Sequence, residues 1–301
     1  EMESQSRPQY QGVFRTLRFG LYRGLERGAL LGLLRTKAGG IIYDASLTAI
    51  DQDEREARVT FSDGSTIALD LVVIADGIHS HTRPLVIAEN EIEYFDTGWG
   101  GYVAWAETPS GEKATYRELW GADWMLGLYP VPGRSGMFLG GRNSNIRDTD
   151  PFAYADMLLK RNLPAPFAES LRTIDRSDHP IYWPMADIRS KVWWRDRTVL
   201  LGDAAAAFLP TAGVGASTAM DAAAALSDEL SRADNDHMGY ALSLYERRQR
   251  HRTEATQTNS RKLAKYMFET SKIMTFLRDQ AMHFYTLDMM VKDIEKVMEG
   301  R

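Results

Sequence analysis

The chain has 301 residues, 44% of them hydrophobic, and a formal net charge of −5. That is enough apolar material for one large or two ordinary domains, and the acidic balance argues against a nucleic-acid surface. There is no cysteine, so a disulfide framework and thiolate chemistry are excluded, and a reducing, cytoplasmic compartment is expected. The 6 histidines are scattered without metal-ligand spacing. No apolar run approaches the ~18 residues of a membrane span, no secretory signal opens the chain, and there is no repeat or low-complexity linker.

Glu1 to Tyr22 is polar and shows no strand-like run. Leu21 to Thr36 carries apolar residues at helical spacing and is expected to be one helix. Ser46 to Asp70 alternates as a hairpin would, with Asp63-Gly64 as its tight turn. Leu71 to Ala75 is continuously apolar, the pattern of a strand covered on both faces in a parallel sheet, and Asp76-Gly77 ends it. His79 and His81 follow; an isolated pair two apart in a turn reads as solvated histidines rather than as a metal site or base.

From Glu91 to Ile188 the character changes. Short β-prone runs at Gly101–Ala106, Ala114–Trp120, Trp124–Tyr129 and Gly136–Gly140 are separated by Gly and Pro, as in Pro130-Val-Pro-Gly133. They predict a mostly antiparallel sheet, with a helix near Phe152 to Arg161. Thr198 to Leu201 returns as a buried strand, Ala216 to Arg232 is an Ala-rich helix, and Tyr240 to Met298 is mostly helical. The expected divisions are 1–88, 89–188, 189–235 and 236–301. The last is rich in flexible apolar side chains: Met267, Phe268, Met274, Phe276, Leu277, Met282, Phe284 and Met289. Packing on the body, on another chain, or as a cap over an entrance are all open to them.

The densest signal is Arg197-Thr-Val-Leu-Leu-Gly-Asp-Ala-Ala-Ala-Ala-Phe-Leu-Pro-Thr-Ala-Gly-Val-Gly-Ala-Ser-Thr218. It reads as a buried strand, a Gly-Asp turn, a Pro-containing loop and a helix opened by Gly213 and Gly215. Asp203 then stands at a strand end, where open α/β sheets place ligands, and its carboxylate accepts hydrogen bonds. Two glycines without Cβ let a planar group approach, and the helix start offers a positive end worth ~0.3–2 kcal/mol to a nearby anion. Asp203 as a simple turn cap, and the glycines as an ordinary loop, are the plainer alternatives.

The stretch resembles the Gly-Asp motif of the FAD-dependent aromatic hydroxylases, the para-hydroxybenzoate hydroxylase-like class A flavoprotein monooxygenases. Gly202, Asp203, Ala204, Ala205, Pro210, Gly213 and Gly215 match it, while Ala206 stands where His is usual and Ser217 where Asn is frequent. Leu71-Val-Val-Ile-Ala-Asp-Gly-Ile-His-Ser-His-Thr-Arg83 is similar to the family's Asp-Gly motif. Arg23, with Leu30 after it, is similar to the Arg that opens a further family helix, although Glu26 departs from that pattern. The family's Gly-x-Gly-x-x-Gly loop has no counterpart here, and a βαβ unit needs roughly 30 residues. The chain is therefore expected to be a member lacking its N-terminal βαβ unit.

The resemblance implies an α/β fold: an FAD-binding, Rossmann-like parallel sheet incomplete at its N-terminus, a mostly antiparallel substrate-domain sheet, and a helical C-terminus. It implies an FAD-dependent monooxygenase that uses NAD(P)H and O2 to hydroxylate an aromatic or polycyclic small molecule through a flavin C4a-hydroperoxide. Cofactor contacts are implied for Arg23, Asp76, Gly77, Gly202, Asp203, Pro210, Gly213, Val214, Gly215 and Ala216. Of these, Pro210, Gly213, Val214 and Gly215 are placed at the reacting ring. Arg83 is expected to be structural or to pair with an anion.

Trp99, Trp105, Trp120, Tyr129 and Trp183 are candidates for a wall against a planar substrate, with Trp124 and Tyr182 nearby; a sheet core is the ordinary use of each. Other flavin oxidoreductases on this fold, and an incomplete or non-catalytic fragment needing a partner chain for FAD, are the alternatives. A halogenase is disfavoured, because its Trp-x-Trp-x-Ile-Pro motif is absent. A homodimer or a complementing N-terminal chain are the partners left open.

Overall fold

A computed structural model describes residues 26–109 and 116–282. In chain order the elements are α1 (Arg27–Arg35), β1 (Leu47–Gln52), β2 (Ala57–Phe61), β3 (Thr66–Leu69), β4 (Val72–Ile74), β5 (Ile92–Ala106), β6 (Arg117–Trp120), β7 (Trp124–Val131) and β8 (Arg134–Arg142). There follow α2 (Asn143–Ile146), α3 (Pro151–Leu159), α4 (Ala165–Arg172), β9 (Ile181–Ser190), β10 (Trp194–Arg195), β11 (Thr198–Leu200), β12 (Ala206–Ala207), α5 (Gly215–Leu230), α6 (Met238–Met267) and α7 (Lys272–Met282). They form two compact units. Of the described residues, one comprises 26–36, 98–109, 116–184 and 268–282; the other comprises 37–97 and 185–267. Both β5 and β9 run from one into the other.

The second unit holds the return strand. β11 pairs in parallel with β4, Val199 opposite Val73, and antiparallel with the two-residue β10. β11 is buried along its whole length, as a central strand should be. β4 departs from the two-sided cover expected of it: Val72 and Ile74 enter the core while Val73 is 42% exposed. Its side chains alternate buried and exposed, so one face packs on the core and the other is open to solvent.

The segment expected as one hairpin is a three-stranded antiparallel meander, β1-β2-β3. Its second turn is the Asp63-Gly64 one: Gly64 has φ +82°, and Asp63 Oδ1 accepts the Ser65 N–H at 2.8 Å. Ala57 and Val59 of the meander join Val72, Ile74, Val199 and Leu200 in one core. Ala222, Ala225 and Leu226 of α5 close it, with Leu242 and Tyr245 of α6.

α6 runs 30 residues with a polar buried stripe, Gln249, Thr253, Gln257 and Ser260, at helical spacing. The stripe meets backbone ends that need partners. Gln257 Nε2 donates to the Ile188 and Ala207 carbonyls at 2.7 and 2.6 Å. Arg261 grips the fully buried Asp187 carboxylate through Nη2 at 2.6 Å and Nε at 2.9 Å.

In the other unit, residues 99–106 of β5 pair antiparallel with β8, β8 with β7, and β7 with β6. This is the antiparallel sheet expected from the Gly/Pro-punctuated runs. One face packs on α3 and α4: Tyr102, Ala104, Leu126, Leu128, Met137 and Leu139 meet Tyr154, Leu158, Phe167 and Leu171. α3 fills the expected place, with Pro151 in its first turn and Asp150 capping the Ala153 N–H at 2.7 Å. α4 was not expected; Pro164 is its N-cap and the helix starts behind it.

Candidate functional site

The Gly-Asp turn follows β11 as a short 3-10 turn, Gly202–Ala204. Gly202 has φ +60°, and a Cβ there would lie 3.3 Å from the Ala219 Cβ on α5. Conformation and helix approach therefore both ask for glycine. Asp203 is carried to the exposed side of the turn. The chain then makes β12 and a second 3-10 turn at Pro210–Ala212, and turns into α5 through Gly213, at φ +64°. Val214 is the N-cap, and no side chain caps the helix or places an acid in its first turn. The first-turn N–H groups thus keep their donor capacity and positive end.

These pieces meet in one shallow cleft, open to solvent. Gly202, Asp203, Ala206 and Phe208 line it from the turn side, with Trp193. Gly215, Thr218, Ala219 and Ala222 line it from α5, and Thr253 from α6. A Cβ on Gly215 would meet nothing within 4 Å, so that helix start faces open space. Of the residues anticipated from the sequence, Gly202, Asp203 and Gly215 line the cleft. Pro210, Gly213 and Val214 shape the loop that leads into α5, and Ala216 is exposed in its first turn. Thr211 ties that loop to α6, its hydroxyl donating to the Ser260 carbonyl at 3.2 Å. Trp193, Phe208, Thr218 and Thr253 were not anticipated. Thr218 follows the motif directly, whereas Thr253 lies far down the chain and carries no local signal.

The Asp-Gly turn is tied to the Gly-Asp turn by Arg83. Its buried guanidinium donates to the Ala204 carbonyl at 2.9 Å and to the Ile78 carbonyl at 3.1 Å. One side chain so links two turns 121 residues apart. Asp76 Oδ2 accepts the Thr82 N–H at 3.1 Å, and Ser80 Oγ accepts the Arg83 N–H at 2.8 Å. Burial acts to raise the Asp76 carboxyl, but hydrogen bonds from Ser80 and Thr82 outweigh it and hold the group below the ordinary carboxylate range. Gly77, at φ +89°, permits the turn. Arg23 lies outside the described residues.

The aromatic candidates belong to the sheet unit and separate by strand parity. Trp99 and Trp105 of β5, Trp120 of β6 and Tyr129 of β7 share one face, by the register of the four strands. Trp99 stacks on Phe268 at 5.0 Å and is buried. The Trp105 ring carries the Arg134 guanidinium 3.7 Å from its centroid. Trp124 points to the opposite, core face beneath Arg161. Tyr182 packs there too, against Tyr102. Trp183 on β9 is 47% exposed.

Comparison with known proteins agrees with this geometry. Residues 35–260 match the family model described as FAD binding domain. An uncharacterized protein of Mycobacterium tuberculosis is 30% identical over 220 residues, 66% of this chain and 56% of that protein. The 6-hydroxynicotinate 3-monooxygenase of Bordetella bronchiseptica is 26% identical over 82% of this chain and 65% of its own. The fold is shared with Klebsiella pneumoniae HpxO, solved with FAD and uric acid. There the TM-score is 0.72 at 21% identity, covering 84% of this chain and 66% of that one. The chain thus spans a little over half the length of the first curated relatives it matches, 56% and 57%. With the Gly-Asp turn, the Asp-Gly turn and the α5 start assembled in family order, the chain belongs to the FAD-binding-domain family of the FAD-dependent aromatic hydroxylases.

Proposed function

We propose that this chain works in an FAD-dependent monooxygenase that uses NAD(P)H and O2 to hydroxylate a small aromatic molecule. The observation that carries the reading is the facing of Asp203 and the uncapped start of α5 across one cleft. That donor set fits a flavin nucleotide: a carboxylate for the hydroxyls of the ribityl chain, and backbone N–H groups with a positive end for the electron-rich edge of the ring. When bound, FAD supplies the redox chemistry, accepting a hydride equivalent from NAD(P)H and activating O2.

The protein's part is placement. Asp203 accepts hydrogen bonds and fixes the chain of the cofactor. Gly202 and Gly213 take the left-handed backbone that lets the turn and the helix start approach each other. Gly215 and Ala216 present N–H groups where negative charge develops. Trp193 and Phe208 supply apolar lining that keeps water from the ring. Pro210 and Val214 set the course of the loop. Asp76 and Gly77 hold the second turn in place for the nucleotide end of the cofactor and the approach of NAD(P)H.

Titration of FAD, followed by visible absorption and flavin fluorescence, tests this. Replacing Asp203 by Ala removes hydrogen bonds to a charged acceptor, and FAD affinity should fall about tenfold or more. Affinity unchanged by Asp203→Ala would sink the assignment. With FAD bound, NAD(P)H oxidation should rise when phenols are added.

A further inference from the structure

The sheet of the first unit has two unlike faces. Directly opposed residues in antiparallel strands point the same way, and alternate residues point oppositely. One parity gives Leu126, Leu128, Met137, Leu139, Tyr102 and Ala104, the core against α3 and α4. The other gives Glu118, Trp120, Tyr129, Phe138 and Trp105, interleaved with Gly101, Gly127, Gly136 and Gly140. At Gly101, Gly127 and Gly140 the space of a side chain is occupied. A Cβ at Gly101 would lie 2.2 Å from the Phe138 ring, and one at Gly140 would be 2.4 Å from Met125 and 2.6 Å from Phe138. At Gly127 a Cβ would lie 2.4 Å from the Tyr129 hydroxyl. Side chains on this face lie down over bare backbone and form a floor.

One carboxylate stands in that floor. Glu118 Oε2 accepts Trp120 Nε1–H at 2.9 Å, and Oε1 accepts the Tyr129 hydroxyl at 2.7 Å. Both partners are neutral. A carboxylate offers about four acceptor sites, so two remain, and Glu118 keeps contact with solvent. The protein packed around it nevertheless desolvates the carboxyl and pushes it above the ordinary carboxylate range, against the bonds from Tyr129 and Trp120. The cations of the same face are paired with other carboxylates: Arg134 with Glu26 at 2.9 Å and Arg142 with Asp123 at 3.7 Å. Arg278, which donates to the Trp120 carbonyl, also contacts Asp279 at 2.8 Å. Burial raises the Tyr129 hydroxyl far above its ordinary value, with the Glu118 charge adding to the shift, so Tyr129 stays a donor.

We infer that Glu118 is a specificity-determining residue: it selects planar aromatic ligands that carry a hydrogen-bond donor, a phenolic O–H or an N–H, and rejects aromatic carboxylates. The partly exposed rings of Trp120 and Tyr129 take the flat face of the ligand, and the free lone pairs of Glu118 take its donor. A ligand anion meets the uncompensated Glu118 charge instead. The inference rests on the monooxygenase reading for the ligand's being a substrate, but the binding it describes needs no flavin.

Three probes with one ring system test it: 2-naphthol with a donor, 2-methoxynaphthalene without one, and 2-naphthoate with an anion. Binding is read by calorimetry on the purified chain, with and without FAD, for the parent protein, Glu118→Leu and Glu118→Gln. The parent should prefer 2-naphthol to 2-methoxynaphthalene about tenfold or more and bind 2-naphthoate most weakly. Glu118→Leu should level naphthol and its ether. Glu118→Gln, which keeps an acceptor and loses the charge, should keep the naphthol preference and admit 2-naphthoate.

A parent without the naphthol preference overturns the inference, as does a Leu variant that retains it. So does a Gln variant that rejects 2-naphthoate as strongly as the parent. FAD binding without the naphthol preference refutes this inference alone; the preference without FAD binding refutes the monooxygenase reading alone.

Discussion

Two regions of the molecule solve the same problem, close approach to the backbone, in different ways. At the Gly-Asp turn, glycine is used for its torsions: Gly202 and Gly213 sit at φ +60° and +64°, and polar ties from Arg83 hold the loops. On the sheet, Gly101, Gly127 and Gly140 have ordinary strand torsions and are used for their missing side chain. Just beyond Gly213, at Gly215, the start of α5 faces open space. The sheet glycines leave none, because the protein's own rings fill it. A glycine in a motif and a glycine in a strand thus carry opposite messages about where a ligand's atoms go.

The largest effect is expected at Gly101. A Gly101→Val side chain collides with the Phe138 ring, which also covers Gly140. Overpacking of this kind costs about 3 kcal/mol. The loss should appear as a lower urea midpoint with altered near-ultraviolet dichroism, while FAD affinity at the other unit is kept. A tolerated Gly101→Val would mean that the rings are not fixed on the sheet.

Arg83→Met comes next. It leaves the Ala204 and Ile78 carbonyls without their donor, worth about 1–3 kcal/mol. The amides of 77–83 and 202–206 should exchange faster together in hydrogen-exchange mass spectrometry. Faster exchange in only one turn would break the proposed linkage.

The smallest effect is expected at Asp76. Its carboxyl is lowered in the folded state, so ionisation favours folding. That contribution is complete above the unfolded value of about 3.9 and is lost as pH falls through the lower folded value. The stability difference between the parent and Asp76→Asn should therefore be flat from about pH 8 to 5 and shrink below about pH 4. Denaturant midpoints across that range measure it, and a difference that grows on acidification would mean that the Asp76 carboxyl is raised, not lowered, on folding.

How much of this could be read from the chain follows from the range of the interactions. The Gly-Asp turn, the Asp63-Gly64 turn and the Ala-rich α5 are set by neighbours within a few residues, and each is where the sequence puts it. Arg83 was legible as structural or anion-pairing, but its partner carbonyl at Ala204 depends on β4 lying beside β11. The aromatic residues were legible as a group and not as a surface. Trp120 and Trp124 are four apart and look alike in sequence, yet a tight turn between β6 and β7 sends them to opposite faces. Glu118 gave no signal at all, since a Glu in a short strand reads as solvated until the register sets Tyr129 and Trp120 around it.

The rings laid over glycine also settle an entropic question before any ligand arrives. Phe138 is confined by Gly101 and Gly140 beneath it, and Tyr129 by Gly127 and by its bond to Glu118. Their rotamer freedom is given up when the sheet folds, a cost of about 0.5–1.5 kcal/mol for each side chain that binding would otherwise immobilise. A flat molecule meeting this floor orders only itself, so the surface can favour small, weakly adhesive rings without having to be reshaped by them.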